Sequence, residues 1–361
     1  MVYCFRFLTE RTVIARMKRE TVLAAMSGGV DSAAAAYLLL QDGCCVLGGT
    51  LFLQDSGDAE IRDAQAVAAR LGIEHRVFDL REEFSRMVIA PFIAAYERGE
   101  TPNPCVLCNR TVKFGLLAEQ ADALGCDVLA TGHYVRREQD TAGRWLLRRA
   151  TDLTKDQSYM LYSLSQKQLA RVRFPLGELT KAEVREIAEN AGFVNARKRD
   201  SQDICFIPDG DYAGFLERQH GGPYPPGDFR TLDGRVLGQH RGLIRYTVGQ
   251  RKGLGLALPA PLYVCAKHTA DNSVILGDND ALFSRALHAH SINFFPFDQL
   301  TQPIRLQAKV RYAQTAQWAT AEQLDTDLLR VEFDEPQRAI APGQSVVLYD
   351  GDYVIGGGII A

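Results

Sequence analysis

The chain has 361 residues, of which 46% are hydrophobic and 24% charged, and its formal net charge is −3. This length accommodates two or three domains with packed cores, and the charge excludes a protein that is basic overall, so nucleic-acid contacts must be local. The eight cysteines, with no secretory signal and no apolar run of membrane-spanning length, predict a reducing, cytoplasmic location and no membrane partner. Residues 1–20 are interpreted as an N-terminal extension.

A glycine-rich loop follows the first apolar run, Thr21 to Met26, and precedes an alanine-rich segment typical of a helix. Two adjacent glycines permit a sharp turn with accessible N–H groups, and the positive end of the following helix favours an anion. Such a strand, loop and helix predict a phosphate site, although the Walker spacing is absent. The alternative is an ordinary glycine turn. The loop residues are Ser27, Gly28, Gly29, Val30, Asp31 and Ser32.

Strands and helices alternate through the first part of the chain. Strands are predicted over 21–26, 46–53, 74–80 and 127–131, and helices over 60–71, 84–98 and 107–124. This alternation predicts an α/β fold with a doubly wound parallel sheet, whose ligands lie at the carboxyl ends of the strands. Gly132 and His133 follow one such end, so they are expected to share a nucleotide pocket with the glycine loop.

The pattern changes after residue 133. A hairpin is predicted over 134–138 and 144–150, and helices over 155–165 and 180–190, the second opened by a capping box at Thr180. Short strands follow in a Gly/Pro-rich region, including 245–253. Alternating strands after about residue 278 predict a small β-barrel. The expected domains are an ATP-binding catalytic domain at 21–207, a small mixed or β central domain at 208–277 and the barrel at 278–361.

Two cysteines lie three residues apart where a proline-containing loop enters a helix. Because a helix N-terminus lowers the pKa of a thiol, Cys105 and Cys108 are candidates for chemistry, as is Cys205 farther along the chain. A redox pair, half of a zinc site and a cluster site are the alternatives for this spacing. A thioredoxin-like pair is disfavoured because the cysteines do not follow the first strand, and zinc lacks a second pair of ligands.

Six ordered motifs carry a resemblance to one family. They are S-G-G-V-D-S (27–32), T-P-N-P-C-V-L-C-N (101–109) with Lys113-Phe114, A-T-G-H-Y (130–134), K-D-Q-S-Y (155–159), D-S-Q-D-I-C-F (200–206) and Y-T-V-G-Q-R-K-G-L-G (246–255). Together they resemble the tRNA-specific 2-thiouridylases, whose glycine loop is that of ATP pyrophosphatases. The resemblance implies ATP-dependent replacement of the C2 oxygen of tRNA uridine 34 by sulfur.

The resemblance also implies roles for individual residues. Residues 27–32, Leu51 and Gly132 would bind ATP, with Mg²⁺ expected on its phosphates and Asp31 in an indirect role. Cys205 would carry a persulfide supplied by a sulfur relay or a cysteine desulfurase, and Cys108 would release the product by thiol–disulfide exchange. Leu51 is otherwise an ordinary strand residue of the core.

tRNA contacts are implied at several places along the chain, and the target base must be splayed out of the anticodon loop to reach them. A local excess of fourteen Lys/Arg over eight Asp/Glu between residues 136 and 199 indicates either a basic face or a mixed solvated surface. The residues implied in tRNA or target-base binding are Asn103, Pro104, Cys105, His133, Lys155, Asp156, Gln157, Arg311, Tyr312 and Gln344.

Cys105 departs from the family pattern, which has aspartate at this position. If Cys105, Cys108 and Cys205 converge, they could hold a [4Fe–4S] cluster with one open iron, which is an alternative to the persulfide. Two further alternatives are another pyrophosphate-loop ligase that modifies tRNA with a nitrogen nucleophile, and a non-catalytic tRNA-binding protein.

Overall fold

The computed structural model describes residues 19–55, 57–196, 198 and 204–361. Residues 1–18 of the predicted extension and residues 200–203 of the Cys205 motif lie outside the described residues. The first seven strands are β1 (Thr21–Ala25), β2 (Cys45–Phe52), β3 (His75–Asp79), β4 (Val128–Ala130), β5 (Val135–Gln139), β6 (Trp145–Arg149) and β7 (Val172–Arg173). Five of them form one parallel sheet in the order β3-β2-β1-β4-β7.

Helices cover both faces of this sheet because its central strand is apolar on both sides. Val22 and Ala24 pack with Leu39 of α1 (Val30–Gln41), whereas Leu23 packs in a second core with Phe114 and Leu117. The predicted doubly wound sheet is confirmed. The next helices are α2 (Asp58–Leu71), α3 (Arg81–Phe84), α4 (Ala90–Glu97), α5 (Pro104–Cys108) and α6 (Leu117–Ala123), with π-helical segments at Ser85–Ile89 and Asn109–Leu116.

Three elements differ from the sequence prediction. Only Ser158–Leu161 (α7) is helical within 155–165, because the Ser165 hydroxyl caps a separate helix, α8 (Gln166–Ala170). The segment 245–253 is not a strand, since a 3₁₀ turn (Leu243–Arg245) and a left-handed Gly249 (φ +91°) interrupt it. Helix α9 (Lys181–Asn190) follows the prediction, whereas α10 (Tyr212–His220), capped by Asp211, was missed in a Gly/Pro-rich region.

The remaining strands form two β units. A four-stranded sheet has the order β10-β11-β8-β9, and six strands from β12 to β17 close into a barrel through the β12–β17 pairing. The predicted small barrel is confirmed. These strands are β8 (Gly227–Thr231), β9 (Val236–His240), β10 (Tyr263–His268), β11 (Ser273–Gly277), β12 (Phe283–Phe294), β13 (Ile304–Lys309), β14 (Gln317–Asp325), β15 (Leu328–Arg338), β16 (Ser345–Asp350) and β17 (Tyr353–Ile360).

The β5–β6 hairpin joins the catalytic domain to the barrel. Its residues Leu147 and Arg148 pair with Val354 and Tyr353 of β17, so the hairpin extends the barrel sheet. In the described part of the chain, no helix is both long and apolar enough to cross a membrane.

Candidate active site

The glycine loop is held in shape by its own side chains. The Ser32 hydroxyl donates to the Gly29 carbonyl (3.0 Å) and accepts from the Ser27 N–H (3.1 Å). Gly28 has φ +70°, and a Cβ there would lie 2.5 Å from the Glu60 carbonyl oxygen, so glycine is required on both conformational and steric grounds. Because the first N–H groups of a helix lack intrahelical partners, the start of α1 retains donors for an anion.

The end of β4 lies against this loop. A Cβ on Gly132 would lie 2.8 Å from the Asp31 carbonyl carbon and the Ser32 nitrogen, so only glycine permits this approach. The two sequence segments therefore meet, as the strand order predicts. Leu51, near the end of β2, is partly buried and packs against the same apolar cluster that contains Cys108 and Phe206.

The carboxylate of Asp31 is engaged from two distant segments. Lys181 Nζ lies 2.7 and 2.9 Å from its two oxygens, and the Tyr134 hydroxyl donates to it at 2.8 Å. Asn195 Nδ2 donates to the Gly28 carbonyl oxygen at 3.0 Å. Sequence reasoning missed Lys181 and Asn195. Because Lys181 and Tyr134 already hold Asp31, a direct bond from this carboxylate to Mg²⁺ would require the Lys181 contact to open.

The two thiols of the C-x-x-C segment lie at the start of a helix. Asn103 caps α5 by accepting from the Cys105 N–H (3.2 Å), and its side-chain nitrogen contacts Met160 Sδ (3.3 Å). Pro104 is buried, Cys105 is exposed, and Cys108 is only 7% exposed. This orientation leaves Cys105 accessible from solvent and places Cys108 in the core.

Burial dominates the ionisation of the thiols. It raises the pKa of Cys108 to about 12, with smaller increases from Cys205 and Cys105 and an opposing decrease from Lys113. Burial also raises the pKa of Cys105 and Cys205, although both side chains are exposed, and Lys113 again opposes it. The sequence-based expectation of a lowered thiol pKa is therefore not met, since burial is the largest cause and raises the pKa of all three thiols.

The three thiols lie close enough to influence one another, and Cys108 shares an apolar cluster with Ile204 and Phe206 on either side of Cys205. All cysteines in the described part of the chain are free. Within residues 19–55, 57–196, 198 and 204–361, no three His, Cys, Asp or Glu side chains are arranged to hold a metal ion. The structure thus offers no formed site for the iron–sulfur alternative.

His133 lies just after β4, partly buried between the rings of Phe114 and Phe174. Its Nδ1 lies 2.8 Å from the Thr131 hydroxyl, and its ring centroid lies 5.7 Å from that of Phe114. Burial, with a smaller effect of Lys113, holds the pKa of His133 well below its ordinary value. The imidazole is therefore neutral at pH 7, which suits hydrogen bonding better than attraction of phosphate.

Of the residues implied in tRNA contact, Tyr312 and residues 155–157 lie together. Tyr312 is exposed and its hydroxyl donates to the Asp156 carbonyl (3.2 Å), which brings the barrel to segment 155–157. The Asp156 carboxylate accepts from Ser158 Oγ (2.6 Å), and the Gln157 side chain accepts from the Tyr134 N–H (2.9 Å). Lys155 lies beside them, partly buried. Their side chains thus also support the local fold.

Arg311 and Gln344 connect domains. Arg311 donates to the carbonyl oxygens of Val248 (3.0 Å) and Ala339 (2.9 Å), whereas Gln344 donates to the Thr101 carbonyl oxygen (2.6 Å). Gln344 therefore ties the thiol segment to the barrel.

The basic excess in residues 136–199 is largely ion-paired. Arg136 pairs with Asp352, Arg148 with Glu138, Arg171 with Asp122, and Arg173 with Glu20. Most of these carboxylates lie outside the segment, which explains why counting within it overstates the free positive charge. This arrangement favours the mixed surface over a continuous basic face.

Three family models match the chain in succession. Residues 20–209 match the tRNA methyl transferase HUP domain, residues 214–278 the tRNA methyl transferase PRC-barrel domain, and residues 284–360 the aminomethyltransferase beta-barrel domain. The tRNA-specific 2-thiouridylase MnmA of Syntrophotalea carbinolica is 49% identical over 351 residues, which cover 95% of this chain and 99% of the relative. The chain belongs to the tRNA-specific 2-thiouridylase family.

Other members of the family are similar to this chain over nearly its whole length. The tRNA-specific 2-thiouridylase MnmA of Carboxydothermus hydrogenoformans is 47% identical over 356 residues, covering 95% of this chain and 98% of the relative. That of Moorella thermoacetica is 48% identical over 351 residues, covering 94% and 98%. This family membership confirms the resemblance drawn from the six motifs.

Proposed function

We propose that this enzyme, a tRNA 2-thiouridylase and hence a sulfurtransferase, activates the C2 oxygen of uridine 34 with ATP and delivers sulfur from a persulfide on Cys205. The observation that carries the proposal is that one domain contains both a glycine loop that meets the Gly132 strand end and two thiol segments that lie close to each other. Membership in the family supports the overall reaction.

The first step makes the uracil carbonyl reactive. The O2 atom attacks the α-phosphorus of ATP, a new O–P bond forms, and pyrophosphate leaves, so the poor leaving group becomes AMP. Loop residues 27–32 would bind the phosphates, Gly132 would permit close approach of the nucleotide, and Leu51 would contact adenine. Magnesium, when bound to ATP, would supply charge neutralisation of the departing pyrophosphate.

The second step transfers sulfur. The terminal sulfur of a Cys205 persulfide attacks C2, and the C2–O bond to AMP breaks. The Cys108 thiolate then attacks Sγ of Cys205, so the bond to the transferred sulfur breaks, the thio-base is released, and a Cys108–Cys205 disulfide remains. A dithiol reductant must supply two electrons to reset the site. The exposure of Cys205 supports loading from a protein persulfide donor, a sulfur relay or a cysteine desulfurase.

The substrate would be held across the domains. We propose that residues 103–105 border the flipped base and that His133, residues 155–157, Arg311, Tyr312 and Gln344 contact tRNA, in a cytoplasmic enzyme. The exposed Tyr312 beside Asp156 supports a contact surface there. We retain domains at 21–207, 208–277 and 278–361, with residues 1–20 as an extension and the β5–β6 hairpin shared with the barrel.

The test combines two readouts on purified enzyme, tRNA, ATP and a persulfide donor. Release of pyrophosphate that requires tRNA, together with retardation of the tRNA in a mercury gel, is expected. Pyrophosphate without retarded tRNA would instead indicate another pyrophosphate-loop ligase, and neither signal would indicate a binding protein. Activity of enzyme that contains about four irons per chain and fails when iron is removed would replace the persulfide with the cluster mechanism.

A further inference from the structure

A lysine from helix α9 lies against the glycine loop. Its Nζ lies 2.7 and 2.9 Å from the carboxylate oxygens of Asp31, which is in the first turn of α1. The Lys181 side chain is only 11% exposed, and its Nζ lies 5.8 Å from the centroid of the Tyr134 ring. Lys181 and Asp31 are 150 residues apart in the chain, so the fold delivers this charge to the loop.

The position of Lys181 within its own helix is unfavourable for a cation. It is the first residue of α9, where the helix dipole repels positive charge, and burial adds a desolvation cost. The start of α1, another positive helix end, lies beside it through Asp31. The Asp152 carboxylate accepts from the Lys181 N–H (3.0 Å), and the Glu183 carboxylate accepts from the Thr180 N–H. Because Asp31 also pairs with the ammonium, carboxylates already offset the positive charge at this helix end. What bears on a ligand is the placement of the ammonium, which the fold holds beside the first turn of α1, where an anion would bind.

A second feature beside the same loop is the buried amide of Asn195. Asn195 is 4% exposed, and its Nδ2 holds the Gly28 carbonyl oxygen at 3.0 Å. Its Oδ1 is buried and has no hydrogen-bond donor among the residues that the structure describes. An unpaired buried acceptor is costly, and a donor from a bound ligand, such as a ribose hydroxyl, would satisfy it.

We propose that Lys181 is a phosphate-binding residue of this enzyme, whose ammonium moves from Asp31 to the ATP phosphates when the nucleotide binds. The move leaves Asp31 held by the Tyr134 hydroxyl and free on its other side for the magnesium of Mg-ATP. No covalent bond changes in this step. The inference rests on the proposed function, because it assigns a residue to the ATP site of that reaction.

The first test measures binding of ATP, inorganic pyrophosphate and adenosine without tRNA, in the presence of Mg²⁺. Lys181→Met is expected to weaken ATP and pyrophosphate binding by about 10- to 100-fold, the loss of one charge-assisted contact, and to leave adenosine unchanged. Lys181→Arg should recover most of the affinity. Lys198→Met is the matched control, because Lys198 forms an ion pair of the same length, 2.7 Å, with Asp63, and should bind ATP normally.

The second test separates phosphate binding from a structural ion pair. In Asp31→Asn/Lys181→Met no carboxylate is left unpaired, so the double variant remains informative even if Lys181→Met alone fails to fold. Weaker ATP binding by the double variant than by Asp31→Asn alone supports direct contact of Lys181 with the phosphates, whereas equal binding by these two variants would overturn it. If wild-type enzyme itself binds no ATP, the proposed function fails, whereas equal binding by wild type and Lys181→Met removes only this inference.

Discussion

The phosphate loop and the thiol segment, the two halves of the candidate site, are built in different ways. The loop of residues 27–32 is shaped by hydrogen bonds within six residues and by the close approach of Gly132. The thiol segment instead depends on distant partners, since Thr101 is held by Pro342 and Gln344 of the barrel. The loop is therefore formed before ATP arrives, whereas the reactivity of the thiols depends on their surroundings.

The two halves also differ in charge. The positive end of α1 and the Lys181 ammonium make the loop attractive to anions, but burial keeps Cys108 protonated, with its pKa raised to about 12. In the proposed mechanism, exchange at Cys108 requires removal of a proton, so it would follow activation of the base. A thiolate that was free earlier would consume the persulfide before that step.

The largest effect on activity is expected from substitutions that remove the thiols and leave the phosphate loop unchanged. Cys108→Ser and Cys205→Ser are each expected to abolish thiolation in the mercury gel while leaving the Kd for ATP within about two-fold, because serine cannot form a persulfide or disulfide. Cys265→Ser, in β10 of the central domain, is the control and should thiolate normally. Full thiolation by either of the first two variants would sink the assignment of the thiols.

A substitution in the phosphate loop, unlike those of the thiols, should weaken ATP binding. Gly28→Ala is expected to reduce ATP affinity by more than about ten-fold and the free energy of unfolding by at least about 1–2 kcal/mol, since positive φ and the Glu60 carbonyl both oppose a Cβ. Gly43→Ala has a similar φ of +80° but no atom within 4 Å, so it isolates the conformational cost. Urea denaturation and ATP binding measure both effects. If the two variants bound ATP equally well, the steric argument would be wrong.

Burial of Cys108 predicts a distinct pH profile. Because its pKa is raised to about 12, almost none of the enzyme carries the Cys108 thiolate at pH 7. Alkylation of Cys108 by iodoacetamide, followed by peptide mass spectrometry, should rise about ten-fold per pH unit with no plateau below pH 10. Lys113→Met should slow it several-fold by raising the pKa further, and Lys167→Met, on the exposed side of α8, should not. A plateau between pH 8 and 9 would contradict the buried-thiol geometry.

The same contrast between local and distant contacts explains which parts of the site could be predicted from the sequence. The strand, loop and helix around residues 27–32 are contiguous, so their local pattern was sufficient, and the parallel strand order placed Gly132 beside them. The partner of Asp31 could not be predicted, because Lys181 lies 150 residues away and its motif suggested only a helix start. A lysine directly after the Thr180 cap, against the helix dipole, was the one available signal.

The secondary structure could be predicted where the hydrophobic periodicity was clear. The prediction failed where a local capping residue determined where a helix begins. Segment 155–165 resembles one helix, but the hydrogen bond from the Gln168 N–H to the Ser165 hydroxyl begins another. The pairing of Leu147 with Val354 in β17 likewise could not be read from a hairpin pattern alone. Its register depends on β17, a barrel strand that also pairs with β12 and β16 and lies far later in the chain.

The smallest effect concerns the anchor of the thiol segment in the central domain. Lys267 Nζ donates to the Glu100 carbonyl oxygen (3.2 Å), next to Thr101, and burial lowers the pKa of Lys267 from 10.5 to about 8. Between pH 8 and 10.5 the unfolded chain therefore holds a proton that the folded chain has lost, so this lysine makes the free energy of unfolding rise with pH there.

Replacing Lys267 should remove this increase of the free energy of unfolding with pH. Relative to wild type, Lys267→Met is expected to be more stable at pH 7, where the wild type retains a buried charge, and to lose this advantage by pH 10. The total change should be no more than about 3 kcal/mol, from 1.4 kcal/mol per pH unit. Urea denaturation at pH 7, 8.5 and 10 measures it, with the exposed Lys252→Met as control. Parallel stability curves for Lys267→Met and wild type would show that Glu100 and the Tyr96 ring compensate the ammonium, and the thiol segment would then have an anchor insensitive to pH.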